Sequence, residues 1–359
     1  MTVARGMTRR RRIVLTLISM AIPIVVVAIA LFAVDLYLHG KYEKTGGYNI
    51  WGYRGPRVPS KRPGEFRAVM LGGSTAYGWG VSWYEAIPAV LEQQLNGRSG
   101  MPRVSVVNLA YNNQGAHSFR HTLEDYLWMD YDLVVLYEGY NDILNDDTKP
   151  NVFEFRRESM VFRLTGYMPI FPDIFREKAS SLLTGSADVA GFFRDKKTVF
   201  RPSLAARGTA GTLNAIVGVG NALERQLALV ASRETSPTEV DEETGCRFPW
   251  PSYCRAVLAG AEFALEHGKP VVVVGQPHFP TGHARRERHI SQQRELAALI
   301  ARRYQNDPRV QYVDMGDGVD LDNPELTTDG MHLTLTGNTL VARALAEPVA
   351  AMAARRTAR

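Results

Sequence analysis

Residues 13–38 form an apolar run of 26 residues whose only charge is Asp35, close to its end. Inside a bilayer every backbone N–H and C=O must be satisfied within the segment, so a run of this kind can cross only as a helix. About 20 apolar residues span the ~30 Å hydrocarbon core, and this run is longer. Pro23 lies within it, which membrane helices tolerate. Four consecutive arginines, Arg9 to Arg12, stand immediately before it. Because positive charge is retained on the cytoplasmic side, the sequence predicts a basic cytoplasmic tail over 1–12 and a transmembrane signal anchor over 13–38. Everything after it is expected on the periplasmic or extracellular side. A cleaved signal peptide shares the basic start, but its apolar core is about 7–15 residues long and ends in a small-residue cleavage site. No clear site of that kind follows here. Both readings export the rest of the chain. A buried core helix is disfavoured by the length and the flanking arginines.

The charge balance supports the same division. Of 42 basic and 37 acidic residues, five arginines and one acid fall in 1–38, which leaves 37 and 36 for the remainder. The exported part is nearly neutral and carries no electrostatic footprint for nucleic acid. Only two cysteines occur, Cys246 and Cys254. They cannot build a metal cluster alone. Export permits a disulfide between them; two unpaired thiols at the start of a helix are the alternative.

Residues 39–64, rich in Gly, Pro, Tyr and Lys, read as a juxtamembrane linker. Short apolar runs then alternate with amphipathic stretches. Strands are expected at 66–71, 104–109, 133–137, 271–274 and 310–313. Helices are expected at 87–95, 119–128, 254–267, 286–304 and 335–352. Continuous Val/Leu runs suit strands buried on both faces, hence a parallel sheet between helices. An insertion at about 145–250, aromatic in its first half and with a helix expected over 212–231, breaks the rhythm. It is too long for a simple connection. It reads either as a helical elaboration packed on the sheet or as a lid or membrane-facing flap.

In such sheets functional groups collect beyond the carboxyl ends of the strands, and the unusual residues fall there. Ser74 follows Gly72-Gly73 after the first strand. Asn141 lies in Gly-Tyr-Asn-Asp after the third. Asp329 and His332 form Asp-Gly-Met-His before the last helix. Serine needs a base within hydrogen-bond reach. Histidine serves if an acid fixes its tautomer, and an Asp three residues ahead on one turn can do so. Acyl transfer also needs donors aimed at the developing oxyanion; the Ser74 N–H, a glycine N–H and the Asn141 side chain could supply them. Singly, these features read equally as a turn, an Asx turn and a helix cap; their order after successive strands makes the signal.

In these residues the chain resembles the SGNH (GDSL-like) hydrolase family. Gly-Gly-Ser-Thr stands where the namesake motif reads Gly-Asp-Ser, Gly115 in Asn-Leu-Ala-Tyr-Asn-Asn-Gln-Gly looks like the second-block glycine, Asn141 matches the third block, and Asp329 and His332 match Asp-x-x-His. The resemblance covers about 65–142 and 252–350. It implies a three-layer α/β/α, flavodoxin-like fold with a five-stranded parallel sheet over 65–359. It also implies serine esterase chemistry without metal or cofactor. Ser74 would be the nucleophile, His332 the base, Asp329 its orienter, and Ser74, Gly115 and Asn141 the oxyanion hole. The expected substrate is an O-acyl, above all O-acetyl, ester on an envelope or extracellular glycan. An O-acyltransferase acting on a polysaccharide, a lipid-directed esterase or lysophospholipase, and a non-catalytic glycan-binding assembly subunit are the alternatives.

Other constellations fit less well. Gly72-x-Ser74-x-Ala76 approaches the nucleophile elbow of α/β-hydrolases, but there the acid and base do not share one turn. His278, His283 and His289 do not share a helix face and read as solvated loop histidines. His117 and His121 are four apart and read as surface residues. Gly78-Trp-Gly80 lacks the third glycine of a dinucleotide loop.

Overall fold

The computed structural model describes residues 8–43, 49–143, 150–172, 174–175 and 240–357. The apolar run lies in a 34-residue helix, α1 (Arg9–Tyr42), long and apolar enough to cross a membrane. Five strands follow, β1 (Phe66–Gly72), β2 (Val104–Asn108), β3 (Leu133–Tyr137), β4 (Val271–Gly275) and β5 (Val310–Asp314). They form one parallel sheet in the order β2-β1-β3-β4-β5. β1, β3 and β4 are buried along their whole length, as their Val/Leu runs require. The edge strand β5 is only half-buried.

Helix α3 (Ile87–Asn96) packs against the C-terminal α9 (Leu335–Thr357), and α4 (Ser118–Asp125) against α7 (Pro251–Glu266), which also meets α8 (Arg286–Tyr304). Right-handed crossovers place the first pair on one face of the sheet and the other three helices on the opposite face. This is the three-layer α/β/α architecture expected from the sequence. The strand order reverses beside β1, and β1 and β3 are direct neighbours, so loops leaving their carboxyl ends open into one crevice.

Two regions differ from expectation. Part of the stretch read as a linker belongs to the core: Tyr53 is fully buried, and Arg54 donates to the carbonyls of Tyr77, Gly78 and Val81. A cation among backbone carbonyls at the end of a helical turn is favourable, and no local pattern in a Gly/Pro-rich segment announces it. In the insertion, α5 (Phe155–Glu158) and α6 (Met160–Thr165) are short helices. The fully buried Arg156 ties them to the chain before β1 through the Gly52 carbonyl and to the end of β2 through the Leu109 carbonyl. Residues 176–239, including the helix expected over 212–231, lie outside the described residues. Cys246 and Cys254 are joined in a disulfide at the start of α7.

Candidate active site

Ser74 opens α2 (Ser74–Tyr77), a single turn directly after β1. Its backbone N–H is the first of that turn and has no acceptor within it. Gly78 ends the turn, donating with Trp79 to the Ser74 carbonyl. The Asn108 amide and Arg54 hold the far end of the turn.

His332 reaches Ser74 from across the chain. Its Nε2 accepts from Ser74 Oγ at 2.8 Å, and its Nδ1–H donates to Asp329 Oδ2 at 2.6 Å. The latter bond fixes the tautomer that leaves Nε2 free to take a proton. The turn carrying both residues is braced locally. Asp329 Oδ1 accepts the His332 and Met331 N–H groups, and the His332 carbonyl accepts from the Thr328 N–H and the Thr327 hydroxyl. Burial works against the Asp329 charge, but the His332 and backbone hydrogen bonds outweigh it and bring the carboxyl down to about 2. Ser74 and His332 are both buried, and the Trp79 ring lies 5.8 Å from the imidazole.

Asn141 lies beside Gly73, the residue that precedes Ser74. A Cβ at Gly73 would fall 1.9 Å from Asn141 Nδ2 and 2.5 Å from Glu138 Oε2. The side-chain space at residue 73 is thus occupied, which explains glycine where the namesake motif has Asp. Asn141 Nδ2 also donates to the Gln114 carbonyl at 2.9 Å and thereby holds the Gly115 loop. Gly115 is equally crowded: a Cβ there would fall 2.4 Å from Asp142 Oδ1.

Two buried carboxyls that sequence reasoning passed over support these loops. Glu138 Oε1 accepts the Gly139 and Asn141 N–H groups, and the Gly73 N–H also reaches this carboxyl. Asp142 Oδ2 accepts the Ala116 N–H at 3.0 Å. Burial raises both, and the Glu138 charge raises Asp142 further, while the N–H donors pull Glu138 back. The donors favour the charge on Glu138, and the proton is held more firmly by Asp142. Both flank Asn141 within Glu-Gly-Tyr-Asn-Asp, and the density of acids in that turn was the only available signal.

The remaining histidines sort differently. His289, expected in a solvated loop, is fully buried in α8 among the rings of Tyr140, Phe279 and His278, and burial pushes it down to about 3. His117 and His121, read as surface histidines, meet Glu154, and one ligand atom from each of the three lies within 4.8 Å of the others. The Arg157 guanidinium donates to His121 Nδ1 at 2.8 Å, which leaves the imidazole proton on Nε2, the nitrogen that faces Glu154.

A sequence model described as "GDSL-like Lipase/Acylhydrolase family" matches residues 70–340. No curated protein matches the chain. Among solved structures, it is similar to a lipase/acylhydrolase from Enterococcus faecalis, with 11% identity, TM-score 0.41 and coverage of 80% of this chain and 96% of that one. It is also similar to a carbohydrate acetylesterase from Sinorhizobium meliloti, with 13% identity, TM-score 0.37 and coverage of 80% and 99%.

Proposed function

The chain belongs to the GDSL-like lipase/acylhydrolase family, the ester-hydrolysing serine hydrolases, and from that membership we propose that Ser74, His332 and Asp329 perform its chemistry. The observation that carries this reading is the continuous relay from Ser74 Oγ through the His332 ring to Asp329, at 2.8 and 2.6 Å. Ser74 Oγ attacks the acyl carbonyl as His332 Nε2 takes its proton. The Ser74 and Gly115 N–H groups and Asn141 Nδ2 stabilise the oxyanion. Collapse expels the alcohol, which takes the proton from His332, and leaves an acyl-serine. A water activated by the same imidazole then releases the acid. Asp329, held in its ionised form, keeps Nδ1 protonated throughout.

The finer reading is a membrane-anchored, exported esterase that removes O-acyl, above all O-acetyl, groups from an envelope or extracellular glycan. Its support is α1, with four arginines at one end and the hydrolase fold at the other. The test uses the full chain in detergent with an acetylated polysaccharide, measuring free acetate and acetate moved to an added unacetylated glycan. Acetate release that disappears in Ser74→Ala is the expected result. Transfer to the acceptor without release would replace hydrolase by O-acyltransferase. Turnover of lysophospholipid but not of acetylated glycan would move the substrate to lipid.

A further inference from the structure

The one charge in the apolar run is not presented to lipid. Asp35 is buried, and its carboxylate accepts the N–H groups of Ile170 and Phe171 and the Tyr167 hydroxyl. One turn later His39 donates Nε2–H to the Met168 carbonyl at 3.0 Å. Residues 167–171 of the insertion are thereby fixed to the end of α1, and the Tyr167 ring lies 5.3 Å from that of Phe32.

This contact sets a depth. A helix rises about 28 Å from Ile13 to Phe32, close to the ~30 Å hydrocarbon thickness. The Phe32–Asp35 level is therefore the far edge of the apolar layer. Helix α6 ends at Thr165, and Leu164 is three residues from Tyr167, within about 11 Å along the chain. A short helix on a water-exposed surface turns its apolar side inward. α6 turns only Phe162 inward, against Tyr126. Met160, Val161 and Leu164 share its other face and are 61%, 45% and 78% exposed. Exposed Arg163 adds a guanidinium at the same level.

We propose that the Met160–Val161–Leu164 face of α6 inserts into the interface of the bilayer that α1 crosses, so that the hydrolase domain is seated on the membrane at a fixed angle rather than tethered at a distance. The inference rests on reading α1 as the anchor. It names the occupant of the exposed face as the same bilayer, because the Asp35 and His39 bonds hold that face at the helix's point of exit. Tyr167 suits this depth, since aromatic rings collect at the headgroup level, and Arg163 can reach lipid phosphates while its stem packs on apolar surface.

The experiment uses the full chain in phosphatidylcholine–phosphatidylglycerol vesicles. The chain's two cysteines are paired with each other, so Val26→Cys, Leu164→Cys and Glu347→Cys each offer one reactive thiol for an environment-sensitive fluorophore. Spin-labelled lipids then quench at shallow or deep positions. The Val26 label reports the anchor, and the Glu347 label, on α9, reports the opposite face of the sheet. The expected result is deep quenching at Val26, shallow quenching at Leu164 several-fold above that at Glu347, and a blue-shifted Leu164 emission. Deep quenching at Val26 with Leu164 no different from Glu347 would overturn the seating alone. An unquenched Val26 label would overturn the anchor reading, and the seating with it.

Discussion

The crevice around Ser74 and the junction between α1 and the hydrolase domain both depend on an aspartate that accepts backbone N–H groups, half-exposed Asp329 in one and buried Asp35 in the other, yet only one of them can be read along the chain. Asp329 binds a histidine three residues away and the N–H groups of its own turn, so its partners are its sequence neighbours. Asp35 has His39 beside it on the same helix, but its other donors lie more than 130 positions away, and two of them are backbone N–H groups that almost any residue would supply. A site built from local turns leaves a motif. A site built from remote backbone leaves only an anomaly, here a lone charge in an apolar helix.

If the two regions are functionally separate, substitutions should divide between them. The largest effect is expected in the crevice. Ser74→Ala and His332→Ala should each lower aryl-ester turnover by about 10⁴–10⁶-fold, since members of one catalytic unit are not additive. Asn141→Ala should cost about 10²–10³-fold, the scale of one oxyanion donor. Full activity in Ser74→Ala, measured on protein with an unchanged melting temperature, would remove the crevice from the comparison.

A smaller effect is expected at the junction. Asp35→Leu leaves the buried N–H groups of Ile170 and Phe171 without their acceptor, a cost of about 1–3 kcal/mol. Limited proteolysis within 160–172 should accelerate several-fold, while aryl-ester turnover in detergent stays within about twofold. Loss of turnover comparable to Asn141→Ala would mean that the junction and the crevice are one unit.

The smallest effect sharpens the comparison within the crevice. Asp142 has its affinity for protons raised on folding, so the native state keeps a proton that the unfolded chain releases above about pH 4. Its contribution is complete below that pH and is lost as pH rises through the raised native value. Asp142→Asn retains an oxygen for the Ala116 N–H and cannot ionise. Melting temperatures between about pH 5 and about pH 8 should therefore fall more steeply in the wild type than in the variant, by a few degrees at most. Parallel curves would show that native Asp142 holds no more proton than the unfolded chain in this window, and that folding does not raise it. Asp329 behaves oppositely: its stabilisation is present above about pH 4 and is lost as pH falls toward about 2.

The sheet was legible because its central strands are buried on both faces, and such strands must be largely apolar; 133–137 and the Val271–Val274 core of β4 leave little alternative. Boundaries moved by a few residues at helix ends, as in α7, which begins at Pro251 rather than at Cys254. Proline is well placed in a first turn because its missing N–H would have no partner there.

By itself, the sequence determined a long apolar helix, five strands in alternation with helices, and a serine, an asparagine and an Asp-x-x-His turn in the loops between them. Each of these follows from periodicity, composition or contacts within a few residues. Tertiary structure alone decided that Arg54 holds the Ser74 turn, that Glu138 and Asp142 brace the loops around Asn141, that His289 is sealed in the core, and that Asp35 locks α1 to Tyr167–Phe171. In every one of those cases the partner is a backbone group or a residue far along the chain. The physical reason is the same throughout: a backbone N–H or carbonyl has the same chemistry at every position, so only the folded path of the chain says which one a buried charge will meet.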